Sequence, residues 1–248
     1  MEDYYLLIHE YYNINKLKIN PDKNKIIIIH QNKYNNIFKN FSFKAKNYTI
    51  TKSNCIKILG TYISSDLKLD KEIRKLTANL HSRLNNLNTI SQYTDFKSRR
   101  DFTNAFIIGK LNYILSLYSI APNYLLNKIH KVLMRAAWNT IGNYCYKKSC
   151  SYILNKCQWL SIEKMVSYSG IYFIYKIISN KEPNSILSMF KTKKSKRNIS
   201  KWYTVYQPKT KLMKNFIIYK SIANFYSLPK EIQNCKQSTF KSKLKNIY

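Results

Sequence analysis

The spacing of apolar residues changes near residue 65, and this change separates two kinds of predicted secondary structure. Before it, apolar positions form short runs, and the continuous run Ile26 to Ile29 predicts a buried strand. After it, apolar residues recur every three or four positions almost to the end of the chain, which is the helical period. The pattern predicts an α+β fold that is mostly α-helical, with a small β-rich N-terminal part before a helical bundle.

A β-hairpin is predicted where the two patterns meet, over Cys55 to Ser65. Apolar residues lead into Gly60, the first glycine of the sequence, and the β-formers Thr61 to Ile63 follow it. Glycine at that point suits a tight turn with a positive φ. Weak alternation between His30 and Ser53 predicts one or two further strands, and Met1 to Asn15 predicts the tail of a helix.

Three successive helices are predicted after the hairpin. The first carries one apolar stripe, formed by Ile73, Leu76, Leu80, Leu84, Leu87 and Ile90. The second is predicted to begin at an N-cap, Ser98, with Asp101 in its first turn. Its predicted apolar face consists of Phe102, Ala105, Phe106, Gly109 and Tyr113. The third runs from Asn123 towards Gly142, and the short joints between the three favour an antiparallel bundle.

The remaining chain predicts shorter elements. Helices are expected over Ser149 to Asn155 and Ser161 to Asn180, and a basic, polar linker without apolar periodicity over Lys191 to Lys201. Helical character returns over Leu212 to Phe225 and Ser238 to Tyr248. The predicted domains are a β-rich part, a helical bundle, and a linker with a helical tail, over 1–66, 67–190 and 191–248.

Charge makes a polyanion the expected partner. The chain has 43 basic and 12 acidic residues, a net charge of +31 in 248 residues. Such a surface attracts nucleic acid. Lysine greatly outnumbers arginine, so codon drift towards Lys, Asn, Ile and Tyr is an alternative source of part of the excess. Drift explains the scarcity of Asp and Glu less easily, which favours nucleic-acid binding.

The basic faces of the predicted helices supply the candidate contacts. On the first helix, basic residues lie mostly off the apolar stripe, and on the third they form one face. The candidate nucleic-acid-binding residues are Lys57, Lys71, Arg74, Lys75, Arg83, Lys128, Lys131 and Arg135. A solvated surface is the alternative for each of them. The basic residues Lys193, Lys194, Lys196 and Arg197 resemble a nuclear-import patch, with a solvated linker as the alternative.

Other chemistry finds little support in the sequence. Five cysteines without framework spacing indicate a reduced, intracellular compartment, and no cysteine pair or histidine completes a metal site. The four histidines have no paired spacing. Asp66, Asp70 and Glu72 precede or begin a helix, so capping explains them better than a nuclease site. The apolar window from Phe102 to Pro122 contains Lys110 and Asn112 and predicts a core helix rather than a membrane span.

Three motifs in order resemble a known family. LKINPDKNKIIII begins at Leu17, IKILGTYIS follows at Ile56, and the chain ends in SLPKEIQNCKQSTFKSKLKNIY. Together they resemble the distal palm, thumb and C-terminal region of a non-LTR retrotransposon (LINE-like) reverse transcriptase, an RNA-directed DNA polymerase. The resemblance covers nearly the whole chain. It implies that Leu59 and Gly60 match the primer grip and that Lys23 matches a basic residue near the leaving pyrophosphate.

The departures from that family affect catalysis. The family holds Mg²⁺ on a Tyr-x-Asp-Asp strand expected before Leu17, and this sequence has no Asp-Asp pair. The role of Lys23 would therefore be idle, and no metal or other cofactor is expected. Asn24 stands where the family has Thr, and Phe225-Tyr226 stands where it has Trp.

The resulting prediction is a truncated, mobile-element-derived protein that binds an RNA–DNA hybrid or duplex without polymerising. Two alternatives stay open. The first is a basic helical protein with a structural or interaction role, or an inactive relic. The second is a fragment of a longer, active polymerase. The predicted location is intracellular, with the nucleus as an option, and no membrane is expected.

Overall fold

A computed structural model describes residues 2–20, 23–29, 37–45, 48–113, 115–142, 148–180, 184–188, 190–195, 198–205 and 209–248. The chain divides into two compact units, Met1–Lys75 and Leu76–Tyr248. The described residues are mostly helical, with short antiparallel strand pairs before the main helical region, as predicted. The α+β, mostly α-helical fold class is therefore confirmed.

The first unit contains one helix, two hairpins and the start of a second helix. Its elements are α1 (Glu2–Ile14), β1 (Ser42–Ala45), β2 (Tyr48–Thr51), β3 (Cys55–Ile58), β4 (Thr61–Ser64) and the first residues of α2 (Asp70–Ser91). Each hairpin is antiparallel, β1 with β2 and β3 with β4. Several apolar side chains of α1 are exposed, for example Leu7 at 63% and Ile14 at 74%.

The predicted hairpin at Gly60 is confirmed. Ile58 pairs with Thr61, so only two residues form the loop. Both have positive φ, 47° at Leu59 and 87° at Gly60. Positive φ at both loop positions is the geometry that matches the right-handed twist of two adjoining strands.

The predicted buried strand at Ile26–Ile29 is wrong. Among the described residues, Ile26 makes only an isolated parallel bridge to Lys52, and Ile29 is 54% exposed. A run of isoleucines favours extended backbone, but a strand forms only where a neighbouring strand accepts its hydrogen bonds. The turn residues Pro21 and Asp22 lie outside the described residues.

The second unit holds most of the helices. They are the rest of α2, then α3 (Phe96–Thr103), a π-helical segment (Asn104–Ile108), α4 (Gly109–Tyr113), a 3₁₀ turn (Leu117–Ile120), α5 (Asn123–Ile141), α6 (Cys150–Cys157), α7 (Ile162–Asn180), α8 (Asn184–Leu187), α9 (Lys211–Asn215), α10 (Ile217–Tyr226), α11 (Lys230–Gln233) and α12 (Gln237–Ile247). The predicted apolar stripe of α2 is buried from Ile73 to Leu87, where Leu80, Leu84 and Leu87 have no exposed area, but its last member, Ile90, is 38% exposed.

The second predicted helix differs from expectation at its start. Its N-cap is Asp95 rather than Ser98, and the Asp95 carboxylate accepts the backbone N–H of Ser98 at 2.9 Å. Either residue type can cap a helix. Position decided the outcome, because Asp95 is extended with φ −77° and ψ 172° while Ser98 is already helical.

The predicted apolar face of that helix is also wrong. Phe106 and Tyr113 are 48% and 58% exposed. The buried side chains are instead spaced four apart: Thr103, Ile107, Leu111 and Leu115. The π segment supports this four-residue spacing, because its turn is wider than the 3.6 residues of an α-helix.

Arg99 joins the C-terminal ends of two helices. Its guanidinium donates hydrogen bonds to the carbonyl of Ser91, the last residue of α2, to that of Thr94 just after this helix, and to that of Thr140 in the last turn of α5. Carbonyls in the last turn of a helix have no partner within that helix. α5 ends as predicted at Gly142, which has φ 78°. A Cβ on Gly142 would come within 2.6 Å of the Arg99 guanidinium.

The C-terminal helices pack into one apolar cluster. Phe240 and Leu244 of α12 are fully buried, and the Phe240 ring stacks on Tyr175 of α7 with 3.8 Å between centroids. α10 approaches α7 closely at Gly170, where an added Cβ would lie 2.0 Å from the Ser221 hydroxyl oxygen. These contacts explain why the tail motif F-K-x-x-L spaces its two apolar residues by four: both face α7 from one side of a helix.

The predicted linker at Lys191 to Lys201 is wrong. The structure has an antiparallel pair, β5 (Phe190–Ser195) and β6 (Asn198–Val205), in which Phe190 pairs with Val205. The sequence Trp202 to Val205 has the aromatic and β-branched residues that favour strands, and it pairs with the lysine-rich stretch. Of the patch proposed for nuclear import, Lys196 and Arg197 lie outside the described residues.

None of the helices within the described ranges combines the length and apolarity needed to cross a bilayer.

Candidate nucleic-acid interface

A groove between α2 and α5 brings together three of the basic residues singled out from sequence. Its volume is about 670 Å³. Lys128, Lys131 and Arg135 line it from α5, together with two histidines, His81 and His130. The full lining, called the basic groove below, is Thr77, His81, Lys128, His130, Lys131, Val132, Met134, Arg135, Trp138 and Cys150.

The spacing of α5 explains why its basic residues lie in the same groove. Lys128, Lys131, Arg135 and Trp138 are separated by three, four and three residues, so their side chains follow one face of the helix. The opposite face is apolar and buried, with Ile129, Leu133 and Ala137 among its members. Burial of that face turns the basic one outward.

Arg135 connects the two sides of the basic groove. Its guanidinium nitrogens lie 3.3 Å from His81 Nδ1 and 3.3 Å from Asn85 Oδ1, both on α2. Arg135 is half-buried, while Lys128 and Lys131 are exposed. The lysine side chains can therefore reach an incoming ligand, and Arg135 is held in place by α2.

No carboxylate of the described residues lines the basic groove. Positive groups that line one groove without acidic neighbours create a positive electrostatic potential that attracts anions. Chain-wide neutralisation is also impossible, because 12 acidic residues can pair one to one with at most 12 of 43 basic ones, leaving 31. The floor contributed by Val132, Met134 and Trp138 is apolar and gives the groove an aromatic surface as well.

Arg83 occupies a different place from the other basic residues of this unit. Its Nη1 donates to the carbonyl of Phe106 at 2.6 Å, and its guanidinium lies 5.9 Å from the Phe106 ring centroid. Arg83 therefore ties α2 to the π segment. It is not among the residues that line the basic groove.

In the first unit, a second group of basic residues surrounds one tyrosine. The Nζ atoms of Lys71 and Lys75 lie 4.9 and 4.6 Å from the Tyr62 ring centroid, and Lys75 Nζ donates to the Tyr62 hydroxyl at 3.1 Å. Lys57 is the cross-strand partner of Tyr62. We call Lys57, Tyr62, Lys71 and Lys75 the Tyr62 cluster.

The Tyr62 cluster is electropositive enough to change the chemistry of its tyrosine. The hydrogen bond from Lys75 and the charge of that residue, with smaller effects of Lys57 and Lys71, hold the pKa of the Tyr62 phenol below its usual value. Lysines on a ring face also gain a cation–π attraction. Basic and aromatic groups thus meet at one exposed surface of β3, β4 and α2.

Leu59 and Gly60 form the tip of the hairpin that carries this cluster. Leu59 is 84% exposed although it is apolar, and it has the positive φ that branched side chains adopt rarely. A Cβ on Gly60 would meet no atom within 4 Å. Gly60 is therefore required by its φ of 87° and not by a close neighbour.

Two further basic positions from the sequence analysis belong to the first unit. Lys23 is exposed, and its N–H donates to the Asn20 carbonyl at 3.2 Å. Arg74 is exposed on α2.

Magnesium, which the family resemblance implies, does not fit the described residues. They contain no group of three His, Cys, Asp or Glu that could hold a metal ion. Glu72 is only 6% exposed and accepts the Tyr62 N–H at 2.7 Å, while Asp66 accepts the Ser64 hydroxyl at 2.6 Å. Both carboxylates thus stabilise the connection between the hairpin and α2.

The cysteines that cluster in sequence have different environments. Cys150 is exposed and Cys157 is buried, while Cys145 lies outside the described residues. Burial raises the pKa of the Cys157 thiol to about 11, against the opposing charges of Lys156 and Arg100.

Alkylation should distinguish these two cysteines. Because the thiolate is the nucleophile, Cys157 should stay unmodified by iodoacetamide at pH 8 in the folded protein, while exposed Cys150 reacts. Reactivity of Cys157 should rise only as pH approaches its raised pKa, or when urea unfolds the chain. Peptide mass spectrometry reads both sites in one sample, and equal rates at Cys150 and Cys157 in the folded state would contradict the prediction.

No protein-family model, curated protein or solved structure matches this chain.

The structure adds residues to the candidate interface that the sequence analysis did not select. His81 and His130 lie 49 positions apart in sequence and line the same groove because α2 lies beside α5. No spacing rule could have joined them. Trp138 did carry a signal, since it continues the three-and-four spacing of the basic residues on α5.

Proposed function

We propose that this chain binds nucleic acid, as duplex DNA or an RNA–DNA hybrid, through the basic groove. The observation that carries the proposal is the joint presence of Lys128, Lys131 and Arg135 in one groove, whose lining within the described ranges contains no carboxylate. Three cations along one helix face match the repeating negative charge of a phosphate backbone. Such contacts position a strand without reading its sequence.

The Tyr62 cluster supplies a second basic surface for the same ligand. It combines three lysines with a half-buried aromatic ring, the composition that suits contact with phosphates and bases. The exposed leucine at the adjacent hairpin tip is consistent with close approach to a strand, as a primer grip would need.

We further propose a mobile-element origin, as a reverse-transcriptase-like protein with remnants of the distal palm and thumb of a non-LTR retrotransposon enzyme. The support is the order of the three sequence motifs along the chain. Polymerase activity is not part of the proposal, because the sequence has no adjacent aspartate pair to hold two metal ions. An intracellular location, with the nucleus as an option, fits the unpaired cysteine spacing and the basic patch.

Binding across a salt series tests the proposal. Fluorescence anisotropy would follow a labelled RNA–DNA hybrid and duplex DNA of equal length, with heparin as competitor. At physiological salt, we expect the hybrid or the duplex to bind with a lower dissociation constant than heparin does. The logarithm of the binding constant should fall linearly with the logarithm of the salt concentration. Roughly 0.9 of slope is expected per phosphate neutralised.

Equal affinities for the hybrid, the duplex and heparin, with all binding lost at physiological salt, would contradict the proposal. That outcome would leave only unspecific attraction by net charge and would favour a basic structural protein or a relic.

A further inference from the structure

A second cavity in the unit Leu76–Tyr248 has a different character from the basic groove and shares no lining residue with it. Its volume is about 350 Å³. Its polar lining is rich in amides and cations, and its apolar lining comes from side chains of the core. We call it the amide pocket; its walls are Arg100, Asn104, Ile108, Asn112, Leu115, Cys157, Gln158, Trp159, Leu160, Met165, Tyr168 and Lys245.

The π segment aligns one wall of the amide pocket. Arg100, Asn104, Ile108 and Asn112 are each four residues apart and all line the cavity. In an uninterrupted α-helix, residues twelve apart are rotated by about 120° beyond three full turns, so the ends of this row would diverge. The wider π turn removes part of that rotation. π-bulges of this kind often occur at functional sites.

A hydrogen bond across the amide pocket orients one of its amides. The Trp159 indole N–H donates to Asn104 Oδ1 at 2.8 Å. Because the oxygen accepts this bond, the Asn104 Nδ2 retains its two donors. Gln158, next to Trp159, has the positive φ of 61° that ends α6 and also lines the pocket.

Among the described residues that line the amide pocket, two carry a positive charge and none carries a negative one. The two are Arg100 on α3 and Lys245 on α12. Within the described part of the chain, neither side chain has a hydrogen-bond acceptor. The Arg100 guanidinium instead lies 5.8 Å from the Phe96 ring centroid. An arginine and a lysine facing the same space suit a phosphate.

We propose that the amide pocket binds a single nucleotide carrying a phosphate. The phosphate contacts Arg100 and Lys245, the planar base lies against the apolar wall that includes Trp159, and the amides of Asn104 and Asn112 pair with base edges. A volume of about 350 Å³ is at the lower end of the usual 300–1,000 Å³ for small-ligand pockets, which excludes a duplex. The proposal goes beyond duplex binding at the basic groove and does not depend on it.

The nucleotide with its phosphate can come from two sources, a free nucleotide or the phosphorylated end of a strand. Isothermal titration calorimetry on the full chain would compare AMP and CMP with adenosine and inorganic phosphate, and with a 5′-phosphorylated and an unphosphorylated trinucleotide. We expect at least one monophosphate to bind about tenfold more tightly than adenosine or phosphate alone, because charged and apolar contacts act together. A trinucleotide that binds only when phosphorylated, and that AMP displaces, identifies a strand end; binding of AMP or CMP alone identifies a free nucleotide.

Matched variants locate the binding. Lys245→Gln and Arg100→Gln should each weaken monophosphate binding about tenfold, since each removes one charged partner of the phosphate. Lys243→Gln, an exposed lysine of the same helix that does not line the pocket, should leave the affinity unchanged. Circular dichroism melts check that all three variants are folded.

Two outcomes would overturn the inference. Inorganic phosphate binding as tightly as AMP and CMP would mean an anion site without room for a base, and equal effects of Lys243→Gln and Lys245→Gln would mean unspecific charge. Substitution of the three groove cations should leave monophosphate affinity unchanged. Failure of duplex binding and failure of nucleotide binding are therefore separate results.

Discussion

Replacing Lys128, Lys131 and Arg135 together by glutamine is expected to weaken duplex binding by about 100-fold at low salt. Among the described residues, these are the Lys and Arg side chains that line the basic groove, so the variant keeps the groove but removes their charge. The slope of log K against log salt should shrink by about 2.7, three times the 0.9 expected per phosphate contact. Fluorescence anisotropy with the hybrid and the duplex measures both quantities.

A charge-matched control is available in the same unit. Lys220, Lys230 and Lys243 are exposed and line neither the basic groove nor the amide pocket. Their triple replacement by glutamine lowers the net charge by the same three units. We expect it to change affinity only a few-fold. Equal losses in the two triple variants would assign binding to total charge and would refute the basic groove as the interface.

Phe240→Ala is expected to lower the free energy of unfolding by about 4 kcal/mol. The ring is fully buried, stacks on Tyr175 at 3.8 Å between centroids, and lies 6.4 Å from the Phe225 ring. Its removal leaves a cavity between α7, α10 and α12 that rigid helices close only in part. Urea denaturation followed by circular dichroism measures the loss.

An exposed residue of the same helix provides the comparison. Ile247→Ala changes a side chain that is 48% exposed and should cost well under 1 kcal/mol. Phe240→Leu should recover part of the loss, because it restores apolar volume without the stacked ring. A midpoint unchanged by Phe240→Ala would mean that α12 does not contribute to the cooperative core of this unit.

Packing of the last helix can account for the tail motif that resembles the family ending. Phe240 and Leu244, which match the family ending F-K-x-x-L, are both fully buried against α7, and Leu228 of the preceding segment is buried as well. An i, i+4 apolar pair on an amphipathic helix is what docking of a terminal helix requires in general. The motif therefore explains the position of α12 by itself, and the proposal of family origin depends on the order of all three motifs.

Local signals were sufficient for several elements. Gly60 predicted a tight turn, and the turn has its expected positive φ. The leucine stripe of α2 and the Gly142 end of α5 were also predicted correctly. In each case the deciding interaction lies within a few residues along the chain: a glycine φ, a helical repeat or a helix cap.

The predictions that were wrong depended on interactions that the local sequence pattern does not show. Ile26–Ile29 has strand propensity, yet its state depends on a partner strand elsewhere in the sequence. Lys191 to Lys201 lacks apolar periodicity, yet it pairs with the strand that ends at Val205. The π segment at Asn104–Ile108 moves the buried face of its helix by changing the period itself.

The sequence by itself determined the mostly helical α+β character, the positions of the long helices, the hairpin tip and the excess of positive charge. It also selected the basic face of α5, because residues three and four apart share one side of a helix. Only the tertiary structure decided that this face and the histidines of α2 and α5 line one groove. It alone also assembled the amide pocket from α3, α7 and α12, because contacts between distant segments follow from packing, which no local spacing encodes.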